Sequence, residues 1–199
     1  MTAPWDWVGV VGTGQSLSVG DPPIISTTQP YHNLKLSLGS AIVPGAGANP
    51  WDPTIPGLSM VPLVEPIRTL ATGYPAPYPA NVYGETPHSS MANQITALLK
   101  AASPAADYIT VHTVVGESGQ GIVALNPQAG STTGTIGRAY AATLFEAAAI
   151  TRLAKAAGKT YGIGVIVMTH GETDSGSSTY KNDLIQLLGK YNNDLAAIT

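Results

Sequence analysis

Three β-branched runs, each closing on glycine and a polar loop, constrain the fold of this chain more than any other feature. The first is Val8–Val11, followed by Gly12-Thr13-Gly14-Gln15-Ser16. The second is Tyr108–Val115, followed by Gly116-Glu117-Ser118-Gly119-Gln120-Gly121-Ile122. The third is Tyr161–Thr169, followed by His170-Gly171-Glu172-Thr173-Asp174. Apolar runs of this length bounded by glycine read as buried strands. Helical patterns stand between and after them. One starts at Ser89 or Ser90, carries Met91, Ile95, Leu98 and Ala102, and stops at Pro104. Another runs from near Arg138 to Ala157 with Phe145, Ala149 and Leu153 on one face and Gly158 as its stop. The last begins near Thr179 and carries Leu184, Leu187, Leu188, Tyr191, Leu195 and Ile198. Alternation of this kind predicts an α/β protein, a three-layer α/β/α sandwich on a parallel sheet. All three polar loops then fall on one edge of the sheet, where open α/β sheets bind their ligands.

The remaining segment, from about residue 21 to 88, breaks this rhythm. It is rich in Pro, Gly, Tyr and Asn and includes Pro44-Gly45-Ala46-Gly47, Asn49-Pro50-Trp51-Asp52-Pro53 and Tyr74-Pro75-Ala76-Pro77-Tyr78-Pro79. A long aperiodic segment inside a domain is usually a functional loop. Its aromatic rings suit either stacking on a sugar face or pinning the loop to the body. Within it, residues 32–38 alternate as a short extra strand would. No internal repeat or second domain interrupts residues 1–199.

Composition narrows the partners. Charged residues make up 11% of the chain against 44% hydrophobic, with a net charge of −3. Such a neutral surface suits an extracellular or periplasmic setting, and it offers no basic patch for nucleic acid or an anionic membrane. The absence of cysteine removes thiol chemistry and thiolate metal sites. No apolar run approaches the ~20 residues of a membrane span. The N-terminus has no basic segment followed by an apolar one, the pattern of a leader.

Ser16 follows a strand and two glycines, a place suited to a nucleophile, although a glycine-rich turn with a solvent serine has the same sequence. Gly12-x-Gly14 also opens a dinucleotide fingerprint, but Leu17 stands where the third glycine is required. His170-x-Glu172 lacks the Pro-Cys-x-x-Cys partner of a zinc deaminase. A metal held by His112, His170, Glu172 and Asp174 has no supporting ligand spacing, so neither metal nor cofactor is expected. His112 reads as a satisfied sheet residue, and His32 and His88 as exposed or loop-fixing.

Taken together, the blocks Gly14-Gln15-Ser16, Gly119-Gln120-Gly121-Ile122 and His170-Gly171-Glu172-Thr173-Asp174 resemble those of the SGNH (GDSL-like) hydrolase superfamily. The sialate O-acetylesterase and acetylxylan esterase type is the branch they resemble most. Tyr180, Asn182, Leu184, Leu187 and Leu188 are similar to the helix that follows in that branch. The resemblance implies a flavodoxin-like sheet and a serine esterase that removes O-acetyl groups from carbohydrate. It implies Ser16 as nucleophile, with the N–H groups of Ser16 and Gly119 as oxyanion donors. His170 stands where the branch has Gln, as a third donor. Gln15 and Glu172 are assigned to substrate binding, with Glu172 also suited to orienting its own loop.

The chain departs from that branch in one respect. The family's Asp-x-x-His pair has no counterpart here, since Asp194 is followed by Leu195-Ala196-Ala197. A three-stranded sheet is also small for the architecture. Both points imply that the base and its Asp partner come from polypeptide beyond residue 199, so that residues 1–199 are the N-terminal portion of the domain. Two other readings share the scaffold: a carbohydrate-binding module without a base, and a lipase or thioesterase.

Overall fold

The computed structural model describes residues 4–38, 51–67, 84–105, 107–127 and 136–199. In chain order the elements are β1 (Trp7–Gly14), α1 (Ser16–Val19), β2 (Leu34–Ser37), β3 (Ser59–Pro62), α2 (Pro87–Ala102), β4 (Ile109–Val114), α3 (Ile122–Leu125), α4 (Arg138–Ala156), β5 (Tyr161–Thr169) and α5 (Tyr180–Ile198). They form an α/β fold around one five-stranded sheet of order β3-β2-β4-β1-β5. β1 lies between β4 and β5, parallel to both. Every residue of β1 is buried, as expected of a parallel strand covered on both faces.

Alternate residues of β1 meet different layers. Val11 joins Val111, Phe145, Ile150, Leu187 and Tyr191 in the larger core, under α4 and α5. On the opposite face the ring of His88, from α2, lies against Gly12. The smaller cluster of Val19, Leu63, Ile67, Ala92 and Val114 fills the same side. The three layers expected from the sequence are therefore present.

Two corrections concern the sheet. Among the described residues it has five strands where three and a short extra one over residues 32–38 were expected, and it is mostly parallel, because β3 pairs antiparallel with β2. β2 falls within the alternating residues 32–38. β3 escaped notice because four residues ending in Pro62 carry almost no periodicity, and a proline is tolerated there since β3 is an edge strand. Of the Pro- and Gly-rich blocks, Asn49-Pro50 and residues 44–47 and 74–79 lie outside the described residues. Trp51 packs against Phe145 with ring centroids 6.1 Å apart, so this ring pins its segment to the body.

α2 also differs from the pattern that located it. It starts at Pro87, with Thr86 as N-cap accepting the His88 N–H at 3.1 Å. Its buried residues are His88, Ser89, Ala92 and Thr96, whereas Leu98 is 60% exposed. The reason is polar: this face meets a hydrogen-bonded chain that an apolar stripe could not satisfy. Asn33 Oδ1 accepts from Thr96 Oγ1, from the Thr110 N–H and from Thr110 Oγ1. With its proton given to Asn33, Thr110 Oγ1 is left to accept from His112 Nε2 at 3.0 Å. His112 Nδ1 is then the acceptor for His88 Nδ1–H at 2.9 Å. His88 is thus buried, not exposed, and His112 is a satisfied strand residue as read from the sequence.

This chain of bonds needs both imidazoles neutral. Burial lowers the His88 pKa from 6.5 to about 4, and it holds that of His112 well below 6.5. A group with a depressed folded pKa contributes stability above its unfolded pKa and loses it as pH falls toward the folded value. The His88 shift alone is therefore expected to remove about 3 kcal/mol of stability between pH 6.5 and pH 4. Urea unfolding at a series of pH values measures this. A His88→Asn variant should be less stable at pH 7 but should show a shallower slope across that window.

Candidate functional site

The site is built where β4, β1 and β5 end side by side, so three loops leave the sheet at one edge. Gly14 makes the first exit. Its φ is +141°, and a Cβ there would lie 1.9 Å from the Thr169 carbonyl oxygen, so only glycine fits. The chain then turns through Gln15 into the single helical turn of α1, which begins with Ser16. This turn is only four residues long. Ser16 is partly exposed. Its hydroxyl makes no hydrogen bond with any described residue.

The second loop runs beside the first. The Val115 N–H donates to Gly12 O at 3.0 Å, and the Glu117 N–H to Gly14 O at 2.9 Å. Beyond Glu117 a tight turn forms, closed by the Gln120 N–H to Glu117 O at 3.3 Å. Gly119 occupies the third position of that turn with φ +72°, and nothing within 4 Å would meet its Cβ. A positive φ at that position is the requirement that selects glycine. The N–H groups of Ser16 and Gly119 donate to none of the described residues, so both are available to a ligand. Glu117 is buried and forms a two-point ion pair with Arg138 at the start of α4. Hydrogen bonding to Glu117 is the main cause raising the Arg138 pKa.

The third loop is tied to the first by Gln15, a residue assigned to substrate binding from the sequence. Gln15 is only 3% exposed. Its Oε1 accepts from the N–H groups of Gly171 and Thr173 at 3.2 and 3.4 Å, and its Nε2 donates to Thr173 Oγ1. Gln15 thereby clamps two loops together. Glu172 is exposed and makes no hydrogen bond with a described residue. The loop-orienting role expected of it is carried by Gln15.

His170 bridges the second and third loops. Its side chain is fully buried. Nε2 lies 3.1 Å from Gln120 O, and Nδ1 lies 3.2 Å from the Tyr180 hydroxyl. The Tyr180 ring stacks on the imidazole at 5.6 Å and 13°. Burial, with the carboxylates of Asp174 and Glu172, raises the Tyr180 pKa and keeps its hydroxyl protonated. Asp174 Oδ2 accepts the Ile122 N–H at 2.7 Å and lies 3.7 Å from His170 Nε2. Asp174, Tyr180, Gln120 and the Glu117–Arg138 pair were not assigned these roles from the sequence. Gln120 and Asp174, inside the resembling blocks, and Tyr180, in the helix that follows them, carried a signal, and the Glu117–Arg138 pair carried none.

The edge thus brings together Gln15, Ser16, Gly119, Glu172 and His170. It does not bring in the other histidines: His88 and His112 pair beneath the sheet, and His32 is exposed near β2. The ligand set His112, His170, Glu172 and Asp174 is likewise not assembled.

No protein-family model matches this chain, and no curated protein does. Among solved structures it is similar to an X-ray structure, at 1.6 Å resolution, of a protein from Arabidopsis thaliana. The TM-score is 0.59, with 17% identity over 97% of this chain and 70% of that one. At this identity the likeness is one of fold, and the fold shared is the helix-flanked α/β sheet.

Proposed function

We propose that this chain is the nucleophile-bearing part of an SGNH-type serine esterase that removes O-acetyl groups from carbohydrate. One observation carries the reading. Ser16 presents a hydroxyl with no partner among the described residues, and neither its own N–H nor that of Gly119, in the adjoining loop, donates to a described residue. Acyl transfer requires this combination, a hydroxyl nucleophile with donors aimed at the developing oxyanion. The donors sit in loops whose other polar groups are bonded to one another, so their positions are set before a substrate arrives.

The base in this proposal is a histidine from polypeptide outside residues 1–199. His88, His112 and His170 are each bonded elsewhere, and His32 lies on β2's side of the sheet. Among the described residues β5 pairs on one side only, with β1, and this supports the same reading. A groove of about 670 Å³ runs between β5 and α5, lined by Trp5, Ile163, Val165, Leu188 and Leu195. Val165 is 45% exposed there, and a long apolar edge of this kind is a surface on which another strand pairs. The commitment of those histidines also favours a second reading, a carbohydrate-binding module on the same scaffold.

Hydrolysis of p-nitrophenyl acetate separates the two. With the base-bearing polypeptide present, the wild-type protein is expected to turn over. Ser16→Ala should fall to the background left by oxyanion donors alone, ~10³–10⁴ over water, with binding of an acetylated oligosaccharide retained. Undiminished turnover by the variant would refute the nucleophile assignment.

The 199-residue chain by itself is expected to bind but scarcely hydrolyse. Efficient turnover by that chain would place the base within it, with His32 the first to substitute. Persistent inactivity after the second polypeptide is added would leave the binding-module reading.

A further inference from the structure

We infer that His170 is a positioning residue that holds the Gly119 turn in place through the Gln120 carbonyl, and that it does not donate to substrate. The inference rests on the esterase reading for its catalytic consequence, but its geometry stands independently. A carbonyl oxygen only accepts, so the contact between His170 Nε2 and Gln120 O, at 3.1 Å, places the proton on Nε2. In the neutral ring that is the sole N–H, and it is used. In the protonated ring the second N–H faces the Tyr180 hydroxyl at 3.2 Å. Neither state leaves a donor over, and the side chain is fully buried. An imidazole stacked on Tyr180 cannot swing toward a substrate without breaking both contacts.

What it does instead follows from the turn it touches. One foot of the turn, Glu117, is held by the Gly14 carbonyl and by Arg138. The other foot is held by two groups from the third loop: His170 on Gln120 O, and Asp174 on the Ile122 N–H at 2.7 Å. Only Ser118 and Gly119 lie between the feet. With both feet fixed, the direction of the Gly119 N–H relative to Ser16 is fixed as well. Loosening the Gln120 foot leaves the donor in the site but lets it wander, which lowers transition-state stabilisation more than ground-state binding.

Three variants test this: His170→Leu removes the donor, His170→Asn falls short of Gln120 O, and His170→Gln keeps an N–H long enough to reach it. Amide hydrogen exchange on the 199-residue chain is the first measurement. Leu and Asn are expected to speed exchange at Gln120 and Ile122 by about tenfold, the loss of one hydrogen bond, with β1 and β4 amides unchanged. Gln should restore protection. The second measurement is p-nitrophenyl acetate turnover by the protein carrying its base. Leu or Asn should lower kcat by about 10²-fold with KM within about threefold, and Gln should recover most of the loss.

Unchanged exchange in both Leu and Asn variants overturns the inference. So does a fall in kcat without faster exchange, which would make His170 a direct donor. If Leu fails to fold, the Asn variant carries both measurements. If the wild-type protein with its base does not hydrolyse the ester, the esterase reading fails, and the exchange data still decide whether His170 holds the turn.

Discussion

The fold depends on a central strand buried on both faces. β1 has β4 and β5 as parallel neighbours and a helical layer above and below, so each of its residues must fit a different close contact. The strand meets this with β-branched side chains where a layer must be filled and glycine where a neighbour comes close. Val11 reaches the core under α4 and α5, while Gly12 leaves room for the His88 ring. Because the three strands are parallel and adjacent, their C-terminal ends align, and the loops that follow have no choice but to meet.

That meeting is stabilised by polar bonds between loops. Gln15 joins the first loop to the third, Gly14 O joins the first to the second, and His170 with Asp174 joins the second to the third. The circuit is closed, so each loop is held by both others. Buried polar groups in such circuits are costly unless satisfied, and in the same loops the Ser16 hydroxyl and the N–H groups of Ser16 and Gly119 have no partner among the described residues. In the proposed chemistry those are the groups a substrate would engage. On the opposite face, the chain from Asn33 to His88 performs a comparable task below α2. It replaces an apolar helix–sheet contact with directed hydrogen bonds that hold only while both imidazoles stay neutral.

The correspondence between pattern and structure differs by element for physical reasons. Where burial has a period, as in α4 with Phe145 and Ala149 or α5 with Leu187, Tyr191 and Leu195, side-chain type alone locates the buried face. α2 misleads because its buried face carries His88, Ser89, Ala92 and Thr96. His88 and Thr96 face inward to His112 and Asn33, Ser89 to the Glu65 carboxylate, and Ala92 to the smaller apolar cluster. β3 is invisible for a related reason, since a four-residue edge strand draws its stability from β2 and not from its own composition.

The α/β class, the strands β1, β4 and β5 and the glycine-marked loops were legible in the sequence, because backbone conformation and burial period are written locally. Ser16 stood out by its place after a strand and two glycines, and Gly119 through the resemblance of its block. Tertiary structure alone decided the five-stranded order, the polar layer under α2 and the use of Gln15, Asp174 and His170. Their partners lie many residues away: Gln15 meets Thr173, and His170 meets Gln120. A hydrogen-bonding side chain carries no record of its partner, so whether Gln15 clamps a loop or reaches a ligand is settled only when the strands bring those loops together.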